Sequence, residues 1–202
     1  YRWTTIGSMA HLDAASLKEF LAFNKTYYVP NNAVLVVAGN FNKQETKKKI
    51  AAYFGPIKRS KKPPQVTAKE IAITKESQTT VYDPNIQIPA ILATYRTPGM
   101  SSKESYVLNM ISTLLSGSKS SRLYKKMVDK QKIALEATAI NLSFEDYGVY
   151  AILALPQGKN TTKTLLNEID KEVSRLKTEL ISKKEFQKLQ NIMENRYVNS
   201  NS

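Results

Sequence analysis

One short apolar run, the segment AVLVVA at residues 33–38, places the strongest limit on the folds open to this chain. No polar residue alternates with the apolar ones, so a strand built from the run needs cover on both faces, as in the interior of a sheet. Gly39 closes the run, and we predict a strand over residues 33–39. The flanking residues have helical patterns, so the other strands of that sheet must come from elsewhere.

Capping signals predict a helix on each side of this strand. Ser16 and Glu19 have the spacing of a capping box, which predicts a helix over residues 16–28. The same signal recurs at Asn42, before a second apolar stripe with helical spacing. Residues 1–57 are therefore expected to form helix, strand and helix, and to complete an αβ domain whose earlier part lies upstream.

A basic, proline-containing stretch, KRSKKPPQVTA at residues 58–68, is predicted to be an exposed linker. Beyond it, in residues 69–202, predicted strands follow one another in pairs and predicted helices do the same, rather than strand and helix alternating. The predicted strands lie near residues 71–73, 79–82, 87–97, 134–142 and 147–155. The predicted helices cover residues 101–115, a short segment around Leu123, 161–180 and 182–198. Such pairing indicates the α+β class, with an antiparallel sheet of about five to six strands and helices packed on one face.

The residue types needed for catalysis are scarce. The chain contains no cysteine, and His11 is its single histidine, so thiolate chemistry and the histidine-rich zinc motifs are excluded within it. The stretch GSKSS at residues 117–121 lacks the spacing of a phosphate-binding loop. We therefore assign no catalytic residue, no metal ligand and no cofactor to this chain.

The net charge of +13 is the unusual property of the composition. A polyanion such as nucleic acid or an anionic membrane surface is one interpretation of such a charge. Seven cations cluster around the predicted linker: Lys47, Lys48, Lys49, Lys58, Arg59, Lys61 and Lys62. No aromatic residues alternate with them as base stacking requires, so nucleic acid is not an expected partner. No apolar run reaches the length of a membrane span.

Three stretches resemble the insulinase/pitrilysin family of zinc metallopeptidases, in particular the segment known as its inactive C-terminal domain. Residues 1–57 match the family's YYxPxN turn, LVVAG strand and YFG helix end. Residues 114–139, LLSGSKSSRLYKKMVDKQKIALEATA, match its glycine-rich loop and Ser-Arg-Leu helix. Residues 147–169 match the strand and helix that follow in the family. Lys132 and Leu135 stand where family members often have Gly and Tyr. The resemblance implies a metallohydrolase-like fold, such as that of mitochondrial processing peptidase.

The resemblance also implies a function. The family's zinc is held by an H-x-x-E-H helix and a later glutamate, which would lie upstream of Tyr1. The chain would then be a noncatalytic fragment of a zinc metalloendopeptidase that forms chamber wall and peptide-substrate surface, partnered by the catalytic domain of an exported, periplasmic bacterial parent. Its substrate-contact candidates form the loop after the first helix of the second unit: Gly117, Ser118, Ser120, Ser121 and Arg122.

Two other functions remain open. One is a noncatalytic subunit that pairs with an active family member, and the other is a basic module that binds a polyanion. The resemblance also leaves a homodimer open. Because the two domains of each family half are alike, residues 1–57 are expected either to complete the upstream domain or to fold back onto the noncatalytic second domain, residues 69–202.

Overall fold

A computed structural model of the protein describes residues 6–65 and 69–200. Contacts between Cα atoms divide the chain into two compact units, Tyr1–Ser77 and Gln78–Ser202. Residues 1–5, which begin the family-like stretch, and residues 66–68 of the predicted linker lie outside the described residues. None of the described helices combines the length and the apolar character that a membrane span needs.

The first unit is helical. It contains helices α1 (Met9–Ala14), α2 (Leu17–Tyr27) and α3 (Lys43–Phe54), with a 3₁₀ turn at Pro30–Asn32. The predicted capping box is present, because the Ser16 hydroxyl accepts from the Glu19 N–H while the Glu19 carboxylate accepts from the Ser16 N–H at 2.8 Å. Two backbone N–H groups donate to the Asn42 side-chain oxygen at the start of α3. Both helices predicted from their caps therefore form.

The apolar run at residues 33–38 forms neither helix nor strand. Its valines stay exposed, with Val34 at 90% and Val36 at 79% of their full accessible surface. A strand requires a neighbour that accepts and donates its backbone hydrogen bonds, and the apolar pattern alone supplies none. The strand predicted at 33–39 is accordingly not formed within the described residues.

The second unit combines a three-stranded sheet with helices. Its strands are β1 (Ile91–Pro98), β2 (Ala134–Ser143) and β3 (Tyr147–Pro156). Its helices are α4 (Lys103–Ser116), a π-helix (Tyr124–Lys130), α5 (Thr162–Thr178) and α6 (Lys183–Ser200). The sheet has the order β1-β3-β2, and both pairs are antiparallel. The α+β class predicted from the sequence is confirmed.

The prediction of five to six strands is wrong for the described residues, which form a three-stranded sheet. The apolar residues near 71–73 and 79–82 have the expected β-type pattern, yet no ladder forms there. The pattern reports which side chains suit a sheet, whereas a strand exists only where a second strand lies beside it. The hairpin of β2 and β3 forms where it was predicted because a short turn holds its two strands together.

One face of the sheet carries the hydrophobic core. Ala139 of β2 and Ile152 of β3 are paired in register on this face. Leu115 of α4, Met127 of the π-helix and Leu165 of α5 pack into the same cluster, and each is almost fully buried. The helices therefore cover this face of the sheet, and burial of these apolar side chains stabilises the unit.

The opposite face of the sheet carries several apolar side chains that stay exposed among the described residues. Because side chains alternate along a strand, Leu92, Ile140 and Leu142 point to this face together with Leu153 of the central strand. Leu92 is 58% exposed and Ile140 is 47% exposed. We call this surface the outer sheet face.

The outer edge of β2 is partly occupied by a side chain. The Ser116 hydroxyl at the end of α4 accepts from the Ala139 N–H at 2.8 Å and donates to the Ala139 carbonyl oxygen at 3.1 Å. One residue of the edge therefore has both backbone groups satisfied without a neighbouring strand.

The π-helix ends in a left-handed residue. Lys132 has a φ angle of +52°, and the following Ile133 N–H donates to the Met127 carbonyl at 2.9 Å. This is the position just beyond a helix end where glycine is favoured, because a side chain there crowds the backbone.

Candidate functional site

The predicted contact loop, Gly117 to Ser121, joins α4 to the π-helical segment. Gly117 follows α4 and donates its N–H to the Thr113 carbonyl at 2.9 Å. A β-carbon at this position would lie 2.7 Å from that carbonyl oxygen, which explains why a glycine is needed there. The glycine at position 117 therefore has a local structural role, because it lets the backbone pass close to the last turn of α4.

Ser121 faces inward. It is 98% buried, its N–H donates to the Ser118 carbonyl at 2.9 Å, and its hydroxyl donates to the same oxygen. These bonds close a tight turn around residues 118–121. Ser121 therefore shapes the loop from inside, whereas Ser118 and Ser120 lie on the exposed side.

Lys188 of α6 reaches the exposed side of the loop. Its ammonium nitrogen lies 2.5 Å from Ser120 Oγ and 3.4 Å from Ser118 Oγ. The two hydroxyl oxygens are 2.9 Å apart. A lysine of α6 and two serines of the loop, 70 and 68 residues before it, thus converge on one point of the surface.

Arg122 is held by two glutamates. Its Nε and one terminal nitrogen donate to the two oxygens of Glu185 at 2.8 and 3.1 Å, and its other terminal nitrogen donates to Glu172 at 3.0 Å. The Glu172 side chain is only 5% exposed, so this ion pair is screened little by water. The hydrogen bonds that Arg122 donates to Glu185 lower the pKa of the Glu185 carboxyl to about 2. We call these three residues the Arg122 clamp.

A neighbouring set of charges extends the clamp along α5. Glu168 accepts from Lys171 at 2.5 Å, and its other oxygen accepts from Lys126 at 3.0 Å and from Gln131 at 3.2 Å. These contacts, with the Lys171 bond contributing most, lower the pKa of Glu168 to about 2 despite its burial. The buried acids of α5 are thus matched by cations of the π-helix and of α5 itself.

An open depression of about 390 Å³ lies elsewhere in the unit, beside the end of the π-helix. Tyr124, Asp129, Lys132 and Leu135 are among its lining residues. None of the five predicted contact residues lines it.

Similarity to known proteins extends over most of the chain. Residues 14–193 match the model of the family described as "Peptidase M16 inactive domain". The chain belongs to this family. A zinc protease of Helicobacter pylori, PqqE, is 28% identical over 191 residues, an overlap that covers 94% of this chain and 43% of that protease. This M16 inactive domain therefore spans less than half the length of the relative.

Solved structures show the same fold. The crystal structure of a protease from Helicobacter pylori matches with a TM-score of 0.76 and 25% identity, over 98% of this chain and 49% of that one. A peptidase M16 inactive domain from Pseudomonas fluorescens matches with a TM-score of 0.76 and 15% identity, over 95% of this chain and 46% of that one. The family resemblance recognised from residues 1–57, 114–139 and 147–169 is confirmed.

Zinc appears in the names of the matched proteases, but the donors of this M16 inactive domain do not fit a zinc site. A protein zinc site draws three or four ligands from His, Cys, Asp and Glu. The chain has no cysteine and one histidine, His11, and the described residues bring no three such side chains together in a group that could hold a metal. The buried glutamates of α5 have cations as partners instead.

Sequence reasoning missed Glu172, Glu185 and Lys188 as neighbours of the loop. A signal for Glu172 was present, because Glu168 and Glu172 are one helical turn apart and flank Ile169 of the buried stripe. Acids on the flank of a core stripe require cationic partners. No comparable signal marked Lys188, which looks like any other lysine of a charged helix.

Proposed function

We propose that this M16 inactive domain forms part of the chamber wall and of the peptide-substrate surface of a zinc endopeptidase whose metal is held by another domain. Three observations support the proposal: the family match, the greater length of the zinc protease relative, and a donor set that does not fit zinc. The domain then contributes binding and shape, and the chemical step belongs to the catalytic domain.

The outer sheet face is the observation that carries the proposal. Exposed patches of apolar side chains on a folded domain mark surfaces that bind other molecules. Leu92 and Ile140 lie on the two outer strands of this face, on either side of Leu153 and Ala151 of β3. An unfolded peptide presents aliphatic side chains, and burying them on such a surface makes binding favourable.

The loop after α4 is proposed as a second, polar contact surface, separate from the outer sheet face. Ser118 and Ser120 are exposed and carry hydroxyl groups that can donate to a peptide carbonyl. Arg122 acts in this proposal as a positioning residue, since its donors are directed to Glu172 and Glu185 and its clamp fixes the segment that follows the loop.

Equilibrium binding of dye-labelled, unstructured peptides to the chain tests the proposal by fluorescence anisotropy. Leu92→Asp and Ile140→Asp place charges on the outer sheet face, and we expect each to weaken binding about tenfold. Leu180→Asp is the matched control, because Leu180 is a 99% exposed leucine that follows α5 and lies outside the sheet. Equal loss in all three variants, or no binding by the unchanged chain, would refute the role of this face.

A further inference from the structure

We propose that Lys188 and the hydroxyls of Ser118 and Ser120 form a binding site for a carboxylate group of the peptide substrate. This inference rests on the function proposed above and specifies one feature of the substrate. We call these three residues the Lys188 site. Its ligand is either an acidic side chain or the free carboxyl terminus of a peptide.

The hydrogen-bond geometry of the Lys188 site leaves donors for an incoming anion. Of the three ammonium protons of Lys188, two are directed at Ser118 Oγ and Ser120 Oγ. Only one hydroxyl proton can lie between the two serine oxygens, which are 2.9 Å apart. The other hydroxyl proton and the third ammonium proton can therefore donate to the two oxygens of one carboxylate.

The charge around the loop favours the same ligand. Within the described part of the chain, the short contacts of the Lys188 ammonium are with hydroxyls, and no carboxylate lies within ion-pair distance of it. Lys119, between the two serines, adds a second cation to the exposed loop. The neighbouring Arg122 differs, because Glu172 and Glu185 neutralise it. Lys188 and Lys119 thus place positive charge at the exposed side of the loop.

The accessibility of the Lys188 site suits a ligand that arrives from solvent. Ser118, Lys119 and Ser120 are exposed, whereas the Lys188 side chain is half-buried and so already ordered by its bonds to the loop. An ordered cation loses little side-chain entropy when it binds an anion. Hydrogen bonds between an ammonium and a carboxylate are also stronger than those between neutral groups.

The test compares three peptides that carry a neutral dye and differ only at one central residue and at the carboxyl end. One has a central Glu and an amidated end, one has Gln and a free carboxyl end, and one has Gln and an amidated end. We expect the unchanged chain to bind one of the two carboxylate peptides about tenfold more tightly than the neutral peptide. Whichever peptide this is identifies the source of the carboxylate.

Three variants separate the Lys188 site from the general attraction of a basic protein for acidic peptides. Lys188→Met is expected to abolish the preference for the carboxylate peptide, and Lys188→Arg to preserve it. Lys184→Met removes the same charge one turn earlier on α6, at an exposed position, and is expected to leave the preference unchanged. A Ser118→Ala/Ser120→Ala variant, with Lys188 intact, should weaken the preference.

The outcomes that would overturn the inference are distinct from those for the proposed function. Equal binding of all three peptides, or equal loss of preference in Lys188→Met and Lys184→Met, refutes the Lys188 site alone. Absence of binding for every peptide refutes the proposed substrate surface and the site with it. Circular dichroism of each variant excludes unfolding as the cause.

Discussion

At the scale of single residues, the segment after α4 is held by side chains of α5 and α6 that lie far from it in sequence. Gly117, Ser118, Ser120, Ser121 and Arg122 were selected by their resemblance to a family motif. In the structure Ser121 points inward, and Arg122 binds Glu172 and Glu185, which are 50 and 63 residues away. Contacts over such distances depend on how helices pack, and no local pattern records them.

Lys132 gives a prediction about stability at this scale. Its left-handed backbone is unfavourable for any residue with a β-carbon, so Lys132→Gly is expected to raise the free energy of unfolding by about 1 kcal/mol. Lys132→Ala is the control, since alanine keeps the β-carbon and should give no gain. Urea unfolding followed by circular dichroism measures the difference. A glycine variant less stable than the alanine variant would contradict the explanation.

At the scale of elements, the helices were more predictable than the strands. Helices α2, α4, α5 and the hairpin lie within a few residues of their predicted bounds because caps, apolar stripes and a short turn are local signals. The predicted strands at 33–39, 71–73 and 79–82 are absent from the described sheet. Each would require a partner that the local sequence does not specify.

The salt bridges of α5 and α6 predict how stability depends on pH. Glu168 and Glu185 have pKa values of about 2 in the folded protein, against about 4.3 in an unfolded chain. The folded state therefore binds fewer protons, and the stabilisation present above about pH 5 is lost as the pH falls toward about 2.

Urea unfolding at a series of pH values checks this expectation. The Glu168→Gln/Glu185→Gln variant should show a shallower fall in the free energy of unfolding across that range. Asp170→Asn, on the exposed side of α5, is the control and should keep the original slope. Parallel curves for the double variant and the unchanged chain would refute the role of these carboxylates.

At the scale of the whole molecule, the family could be recognised from the sequence, while the size of the sheet could not. The family match extends over residues 14–193, which includes parts of both compact units. The composition alone shows that the chain contains one histidine and no cysteine. Composition does not depend on how the chain folds, so it can be known from the sequence alone.

Metal content is the prediction at this scale. The chain is expected to bind zinc at well below one ion per molecule and to cleave no peptide, because it lacks a set of ligands for the ion. Metal analysis after dialysis against zinc measures the first property. Removal of metal with a chelator should leave the melting temperature unchanged. One tightly bound zinc ion per chain would contradict the prediction.

The Ser116 hydroxyl on the outer edge of β2 has a consequence for self-association. An exposed sheet edge is a template for the stacking of further chains, which is how ordered aggregates grow. A strand that docked along β2 would have to remove Ser116 from both backbone groups of Ala139. We therefore expect the addition of a strand at the β2 side of the sheet to be obstructed in the middle of that strand.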